Sequence, residues 1–501
     1  MKKFYVTTSI AYVNASPHVG FAMEVVQADA MARYHRLKGD DTFYLTGTDE
    51  HGVKMYETAT TLGKTPQELA DENSAKFRAL KDLLNLSNDG FVRTTDDYHK
   101  RGAQKMWKAL VDAGDIYKGT YVGKYCSGCE AFVADKDLVD GKCPNHDRVP
   151  EIIEEENYFF KLSKYSDKIR ELIASGELIV APEARKNEIL NIIGEGFKDV
   201  SFSRPKNVLP WGIDVPDDDS QVMYVWCDAL SNYITAIGYA ETDVSMFEKF
   251  WPADVHLIGK DILRFHAGVW IGMLLSAGLP LPKAVFVHGF ITSDGKKMSK
   301  SLGNVVDPAD YVQKYGADAL RYYLLREIPT GDDGDFSEAR FVELYNGDLA
   351  NSLGNLVNRV LMMVERYTGG IIKGSEKNET LEKKIGDIWA EYEKSFNNFN
   401  IKVAVEHVLE LLAFGNKYVD DQKPWELAKL DQPACEAVLY NLLEILRNSA
   451  VMLLPIIPEK AEKILTMLGL NPADCGYGKY FGFLKDGGKV SKGDPLFPRL
   501  E

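Results

Sequence analysis

Two short segments carry residues suited to handling phosphate: Pro17-His18-Val19-Gly20 near the start and Lys297-Met298-Ser299-Lys300-Ser301 in mid-chain. Pro17 fits the first turn of a helix and sets His18 just inside that start. Free backbone N–H groups and the positive end of the helix dipole attract phosphate there, and an imidazole can hydrogen-bond a phosphate oxygen. Gly20 would let a nucleotide approach the backbone closely. Lys297 and Lys300 follow Asp294-Gly295 on what reads as a loop. Two ammonium groups there would stabilise charge building on departing pyrophosphate more than they stabilise the ground state. Together the segments point to attack on the α-phosphate of ATP, a step in which a free carboxylate needs no general base. Taken singly, the first could be a surface His beside a helix cap and the second a solvated basic loop.

A third cluster could hold a metal. Cys126 and Cys129 form a C-x2-C pair, Cys143 and His146 a C-x2-H pair, and thirteen residues separate the two pairs. Three thiolates and an imidazole make a closed tetrahedral zinc shell with no vacant position, which is a structural site. Cys227, Cys435 and Cys475 are scattered, as buried small hydrophobes are.

The elements that must position these groups are legible in outline. Phe4 to Thr8 is β-rich, a helical pattern runs from Pro17 to about Lys38, and Thr42 to Thr46 is a second strand. That alternation predicts a doubly wound parallel sheet. Residues 119–210, with the Cys/His cluster and the acidic run Glu154-Glu155-Glu156, break the pattern as an insertion. Strand patterns return at Val255 to Ile258 and Val285 to His288. From Gly347 the chain turns helical, with Leu349, Leu353, Leu356, Val360 and Met363 as a core-facing stripe. Asn351, Asn355 and Arg359 line a polar row beside it.

The bulk properties narrow the class. The chain has 501 residues, 45% hydrophobic and 27% charged, with a net charge of −15. Such a balance excludes a nonspecific nucleic-acid coat protein but not RNA binding through a local basic patch. The most apolar stretch, Ala267 to Pro282, is broken by Gly, Ser and Pro and falls short of the ~20 residues of a membrane span. No export signal is read at the N-terminus, so a cytoplasmic protein is expected.

With its two phosphate signatures in this order, each after a strand, the chain resembles the class I aminoacyl-tRNA synthetases. The residues between and after them narrow the resemblance to the methionyl family, over nearly the whole length. The resemblance implies a Rossmann-like α/β fold with a zinc-binding insertion, followed by an all-α helical bundle. The expected divisions are 1–118 and 211–292 for the two catalytic halves, 119–210 for the insertion, and 293–346 for the lysine-loop and stem-contact region. Residues 347–470 would bind the anticodon, and 471–501 would pack back on the body. It implies activation of L-methionine by ATP with Mg2+, then transfer to methionine tRNAs with a CAU anticodon, both initiator and elongator. One structural Zn2+ and a monomer are further expectations.

The same resemblance assigns roles by position. His18, Gly20, Gly259, Asp261, His288, Gly289, Lys297 and Lys300 would bind ATP, with His18, Lys297 and Lys300 catalytic. Ile10, Tyr12, Trp226, Ala229, Tyr233, Ile262 and His266 would form the methionine pocket, Tyr12 and His266 bonding each other or the thioether. Asp49 would hold the α-ammonium. Asn355 and Arg359 would read the anticodon cytosine. Read without the family, Asp261 could equally be a helix N-cap, Trp226 and Tyr233 core packing, and Asn355 and Arg359 a solvated helix face.

Two departures stand out. Phe21 occupies the place of the second His of the family's first signature, and an aromatic cannot donate to phosphate. No Trp follows the last long helix as an anticodon platform, so Tyr477 or Tyr480 would substitute, with Trp425 read as core. Two rivals remain at this point: an RNA-binding paralogue that has lost activation, and a synthetase for another amino acid such as cysteine.

Overall fold

The computed structural model describes residues 2–127, 131–133, 137–145, 147–298, 303–374 and 378–500. Cys129, His146 and Lys300 lie outside the described residues.

Seven strands make the central sheet, and every neighbouring pair is parallel. The order is Ala11–Tyr12, Asp41–Asp49, Lys3–Thr8, Val255–Gly259, Ala284–His288, Ile179–Ala181, with Gly90–Arg93 also paired to Asp41–Asp49. Val255–Gly259 and Ala284–His288 are buried at every residue, as strands covered on both faces must be. Order reverses between Lys3–Thr8 and Val255–Gly259. Ligands of such sheets bind at that point, outside the carboxyl ends of the strands. One strand departs from the expected boundaries: Ile179–Ala181, placed in the insertion by sequence, pairs with Ala284–Phe286 at the sheet edge. A three-residue strand carries too little pattern to be read beforehand. The other strands of the insertion are antiparallel, with Ile116–Cys126 against Glu151–Phe160 along ten residue pairs, and helices Ser166–Ser175 and Glu183–Gly194 follow.

The opening helix, Val19–Leu37, is buried on nearly all sides. Among its buried residues is the acid Asp29, ion-paired at 2.8 Å with Arg321 of helix Ala317–Arg326, both side chains fully buried. Arg321 also donates to the backbone oxygens of Leu84 at 3.1 Å, Pro455 at 3.0 Å and Ile456 at 2.9 Å. Asp29 accepts from Arg33 and from the backbone and hydroxyl of Ser87. Burial alone would raise the Asp29 pKa, but Arg321, Arg33 and Ser87 outweigh it and hold it low.

The C-terminal region is helical: Asn355–Thr368, Glu379–Asn397, Ile401–Gln422, Pro424–Leu430, Gln432–Leu453 and Pro458–Met467. The leucine stripe is buried at Leu349, Leu353, Leu356 and Val360, whereas Met363 sits at its half-buried edge. Its first part, Tyr345–Gly354, is a π-helix, whose wider turn a period of 3.6 does not reveal. The tail folds back on this region. Glu444, buried and bonded to Arg447, accepts from the N–H groups of Phe483 and Leu484, and Arg447 donates to the carbonyls of Cys475 and Gly476. No helix among the described residues is long and apolar enough to cross a membrane.

Removing Arg321 while leaving Asp29 strands a buried charge. Arg321→Met should destabilise the protein by about 3–5 kcal/mol, read as a shift in its urea unfolding curve.

Candidate functional site

The site lies at the sheet's reversal point, and the hairpin that follows the sheet reaches it. Asp294 and Gly295, with φ of 49° and 71°, form the tight turn between Ile291–Ser293 and Lys296–Lys297. Lys297 therefore stands on a short strand rather than a loop, and it is exposed. The Met298 methyl lies 4.0 Å from where a Cβ on Gly20 would be. The Val19 N–H donates to Val306 O at 3.0 Å, tying the opening helix to the segment beyond the lysines. The described part of the lysine segment thus lies against the start of the opening helix.

His18 is the N-cap of the opening helix, one place earlier than the sequence implied, and its Nδ1 accepts from the Gly20 N–H at 3.0 Å. The other first-turn donors are also engaged: Phe21 and Ala22 N–H both bond His18 O. Phosphate is therefore not met by free backbone donors here. The Nδ1 acceptor role leaves the proton of the neutral ring on Nε2, the outward donor. Desolvation holds the His18 pKa below its ordinary value, which keeps the ring neutral. Gly20 is needed for a local reason too, since a Cβ there would sit 2.8 Å from the His18 ring. Phe21 packs its ring edge-on to Phe77 at 5.1 Å.

At the ends of the neighbouring strands, Asp261 lies inside the 3-10 turn Lys260–Ile262, whose N-cap is Gly259, so its alternative reading as a helix cap is not realised. His288 is buried, with Nε2 2.8 Å from Glu24 and Nδ1 2.8 Å from Gly289 O. Burial pushes this imidazole toward neutrality, but Glu24 outweighs it and the pKa is raised. Gly289 is pressed against the loop at Asp332, whose carbonyl carbon would lie 2.2 Å from a Cβ.

Next to the turn Lys260–Ile262 is a cluster of aromatic side chains. Trp226 stacks on Phe265 at 3.9 Å and 5°, and meets His266 edge-on at 6.2 Å. Tyr233 is buried and leans on His256 at 4.1 Å. Its hydroxyl is 2.7 Å from His266 Nε2, while His266 Nδ1 faces Ile262 O at 3.0 Å. The carbonyl must accept, so Nδ1 carries the proton and the Tyr233 hydroxyl donates to Nε2. The expected Tyr12–His266 bond is replaced by this pair, and the Tyr12 hydroxyl instead accepts from Met55 N–H at 3.1 Å. Ala229 and Asp49 are buried, and Ile10 and Ile262 half-buried. His266 belongs to the π-helix Phe265–Trp270. Sequence reasoning missed Phe265, His256 and Trp270, the last donating to His256 Nε2 at 3.2 Å. The polar run Thr48-Asp49-Glu50-His51 was the available signal for a second layer of partners.

Farther away, Asn355 is exposed and Arg359 pairs with Asp420 at 2.8 Å. Trp425 is not core: it is 37% exposed, on the short helix Pro424–Leu430 that packs against Asn355–Thr368. Tyr477 and Tyr480 instead lean on Trp389, with the Tyr477 hydroxyl 2.6 Å from Glu393. In the insertion, Cys126 and Cys143 are both 1% exposed, at a strand end and in a tight turn.

Comparison with known proteins places this geometry. The family model "tRNA synthetases class I (M)" matches residues 4–149 and 145–361, and "Anticodon binding domain of methionyl tRNA ligase" matches 369–501. The methionine–tRNA ligase of Clostridium perfringens is 46% identical over all of this chain and 78% of its own length. That of Brucella suis is 44% identical over 94% of this chain and 93% of its own. A Mycobacterium tuberculosis methionyl-tRNA synthetase in complex with methionyl-adenylate superposes with a TM-score of 0.95 at 40% identity, covering both chains fully. The free-state structure from that organism gives 0.88 at 37%, over 100% of this chain and 99% of its own.

Burial pushes the His266 pKa down from 6.5 to about 4. Below pH 6.5 the unfolded chain binds a proton there that the folded chain refuses until about pH 4, so stability falls as pH drops through that window. His266→Asn should flatten that fall by up to one proton, about 1.4 kcal/mol per pH unit, in unfolding curves at stepped pH.

Proposed function

Since this chain belongs to the methionyl class I tRNA synthetase family, we propose how its residues divide the family's reaction among themselves. The activity is ATP-dependent joining of methionine to tRNA through methionyl-adenylate. The observation that carries the assignment is the meeting of the opening helix with the lysine hairpin, where Val19 N–H donates to Val306 O and the Met298 methyl lies 4.0 Å from the place of a Gly20 Cβ.

The methionine carboxylate attacks the α-phosphorus, and the bond to pyrophosphate breaks. Neutral His18 donates from Nε2 to a phosphate oxygen. Lys297, with Lys300, offsets the charge that grows on the leaving pyrophosphate. Mg2+ enters with the nucleotide. Such an ion would be carried mainly by phosphates and water. The backbone at His288–Gly289 lines the adenine, and Gly259 and Asp261 the ribose. Phe21 costs a phosphate donor but not the reaction, because His18 and the lysines remain.

Asp49 accepts the α-ammonium. Trp226, Ala229, Tyr233, Ile10, Tyr12, Ile262 and His266 enclose the side chain. The Tyr233 hydroxyl spends its proton on His266, so the pair turns no unsatisfied donor toward the thioether. Sulfur against aromatic edges adds about 0.3–1.5 kcal/mol. A more polar analogue finds no partner there, and its desolvation goes unrepaid.

At the other end of the molecule, Asn355 and Arg359 read the anticodon cytosine of a CAU loop, and exposed Trp425 supplies the stacking face expected of Tyr477 or Tyr480. Single-stranded bases are read by just such edge contacts and stacking. Initiator and elongator tRNAs share this loop and both are substrates. We read the enzyme as a cytoplasmic monomer.

In the insertion, Cys126 and Cys143 are a donor pair suited to zinc, to be completed by Cys129 and His146. A bound ion would cross-link a region with little apolar core, and supplies no chemistry to the reaction.

Two measurements test these roles. Lys297→Ala should cut methionine-dependent pyrophosphate exchange by about 100-fold or more. Arg359→Ala and Trp425→Ala should leave exchange intact while slowing tRNA charging by about tenfold or more. Exchange with another amino acid, or none with tRNA still bound, would favour the rival readings. Metal analysis should find one zinc per chain. Cys126→Ser should lose it and lower the unfolding temperature by about 1–2 degrees, the equivalent of about 1–2 kcal/mol.

A further inference from the structure

Behind the proposed methionine slot, a buried carboxylate bridges two imidazoles. Asp228 lies between Trp226 and Ala229 on helix Val225–Leu230 and is fully buried. Its Oδ2 is 2.6 Å from His51 Nδ1, and its Oδ1 is 2.7 Å from His99 Nε2. Both imidazoles are buried as well, His51 at 3% exposure and His99 at 0%. Burial alone would raise the Asp228 pKa, but the two imidazoles outweigh it and hold the group ionised. Hydrogen bonds to a charged acceptor at these lengths are the strong, geometrically strict kind.

The bridge joins three segments that the amino acid must span. His51 is two residues beyond Asp49, the group assigned to the ammonium. Asp228 shares its helix with Trp226 and Ala229, which wall the side chain. His99, on helix Asp97–Asp112, turns its Nδ1 to the Thr235 hydroxyl at 2.8 Å, two residues beyond Tyr233. The loop is braced from its other side: Glu50, fully buried, is gripped by Arg93 at 2.7 and 2.9 Å, and its carbonyl accepts from Trp211 Nε1.

We propose that Asp228 is a positioning residue that sets the length of side chain the site accepts, by fixing the ammonium-holding loop against the slot-bearing helices. The inference rests on the assignment of Asp49, Trp226 and Tyr233 made above. Length is what an apolar slot discriminates least well, by only about 10–200-fold per methylene, so a slot that must tell methionine from longer analogues needs a fixed distance between its two ends. A carboxylate held by two donors on separate elements provides one. A bond made only for stability would show differently, since losing it would lower the active fraction for every substrate alike.

The test is pyrophosphate exchange with methionine, with ethionine (one methylene longer) and with norleucine (of equal length, without sulfur). Asp228→Asn should lower the methionine-to-ethionine ratio of kcat/KM by about fivefold or more, mainly through KM. It should leave the methionine-to-norleucine ratio and the KM for ATP within about twofold. His51→Leu should do the same, whereas His51→Asn, whose amide nitrogen replaces Nδ1, should restore the ratio. The His51 pair decides the matter if Asp228→Asn does not fold. An ethionine ratio unmoved in the variants that fold, with losses shared by all three amino acids, overturns the proposal. Asp49→Asn separates the two layers of inference. If it leaves the methionine KM unchanged, the pocket assignment fails and this proposal with it. If it raises that KM while the ratio stays fixed in the other variants, only the proposal about Asp228 fails.

Discussion

The buried pair Asp29–Arg321 is the constraint on which the arrangement of the two halves depends. Two charges without water are tolerable only when every remaining donor and acceptor is used. Here they are used by Arg33, one turn along the same helix, and by groups far apart in the chain: Ser87 on the acid, and the carbonyls of Leu84, Pro455 and Ile456 on the guanidinium. Asp29 and Glu24 lie on the helix that His18 caps, so the direction of that helix at the proposed nucleotide site is fixed from the same node. Pro455 and Ile456 sit between two helices of the anticodon-binding half. The catalytic helix and the RNA-binding bundle are therefore registered against each other by one guanidinium rather than by a flexible linker.

Histidine illustrates how one residue type is sorted by its neighbours. His18, His256 and His266 are pushed toward the neutral form, each chiefly by burial. Neutrality fixes a tautomer in each case where one nitrogen has an unambiguous partner: the Gly20 N–H for His18, the Ile262 carbonyl for His266, the Trp270 indole for His256. His288 is as deeply buried yet goes the other way, because Glu24 stands 2.8 Å from its Nε2. The proposed site thus has a neutral imidazole at the helix start and a self-satisfied tyrosine–histidine pair, while the imidazole whose pKa is raised stands where a carboxylate can balance a proton.

What the sequence disclosed and what it hid follow from the range of the interactions. The strands Lys3–Thr8, Val255–Gly259 and Ala284–His288 and the long helices are local patterns, and each appears in the fold where its period implied. The hidden features are those in which distant residues decide. Ile179–Ala181 is a sheet strand only because Ala284–His288 offers it an edge. The π-turns at Phe265–Trp270 and Tyr345–Gly354 leave no mark in a 3.6-residue period. Trp425 reads as core by composition, and only the packing of its short helix beside Arg359 leaves it 37% exposed. The free helix donors supposed to bind phosphate are consumed by Val306 and by His18 itself, bonds that cannot be inferred from Pro17-His18-Val19-Gly20 alone.

The same separation between local and distant explains why the pocket is built in two layers. Its inner surface is aromatic and apolar, suited to sulfur but poor at measuring length. Its outer layer is polar and largely buried: Glu50 with Arg93, His51 with Asp228, His99 with Thr235, Thr7 with His256. An apolar contact tolerates several tenths of an ångström of slip, whereas a buried charged hydrogen bond stretched by that much forfeits much of what offsets its desolvation. Placing the strict interactions behind the permissive ones lets a surface that can only attract also define a fixed length, which is the property a site for an unbranched, flexible side chain most needs.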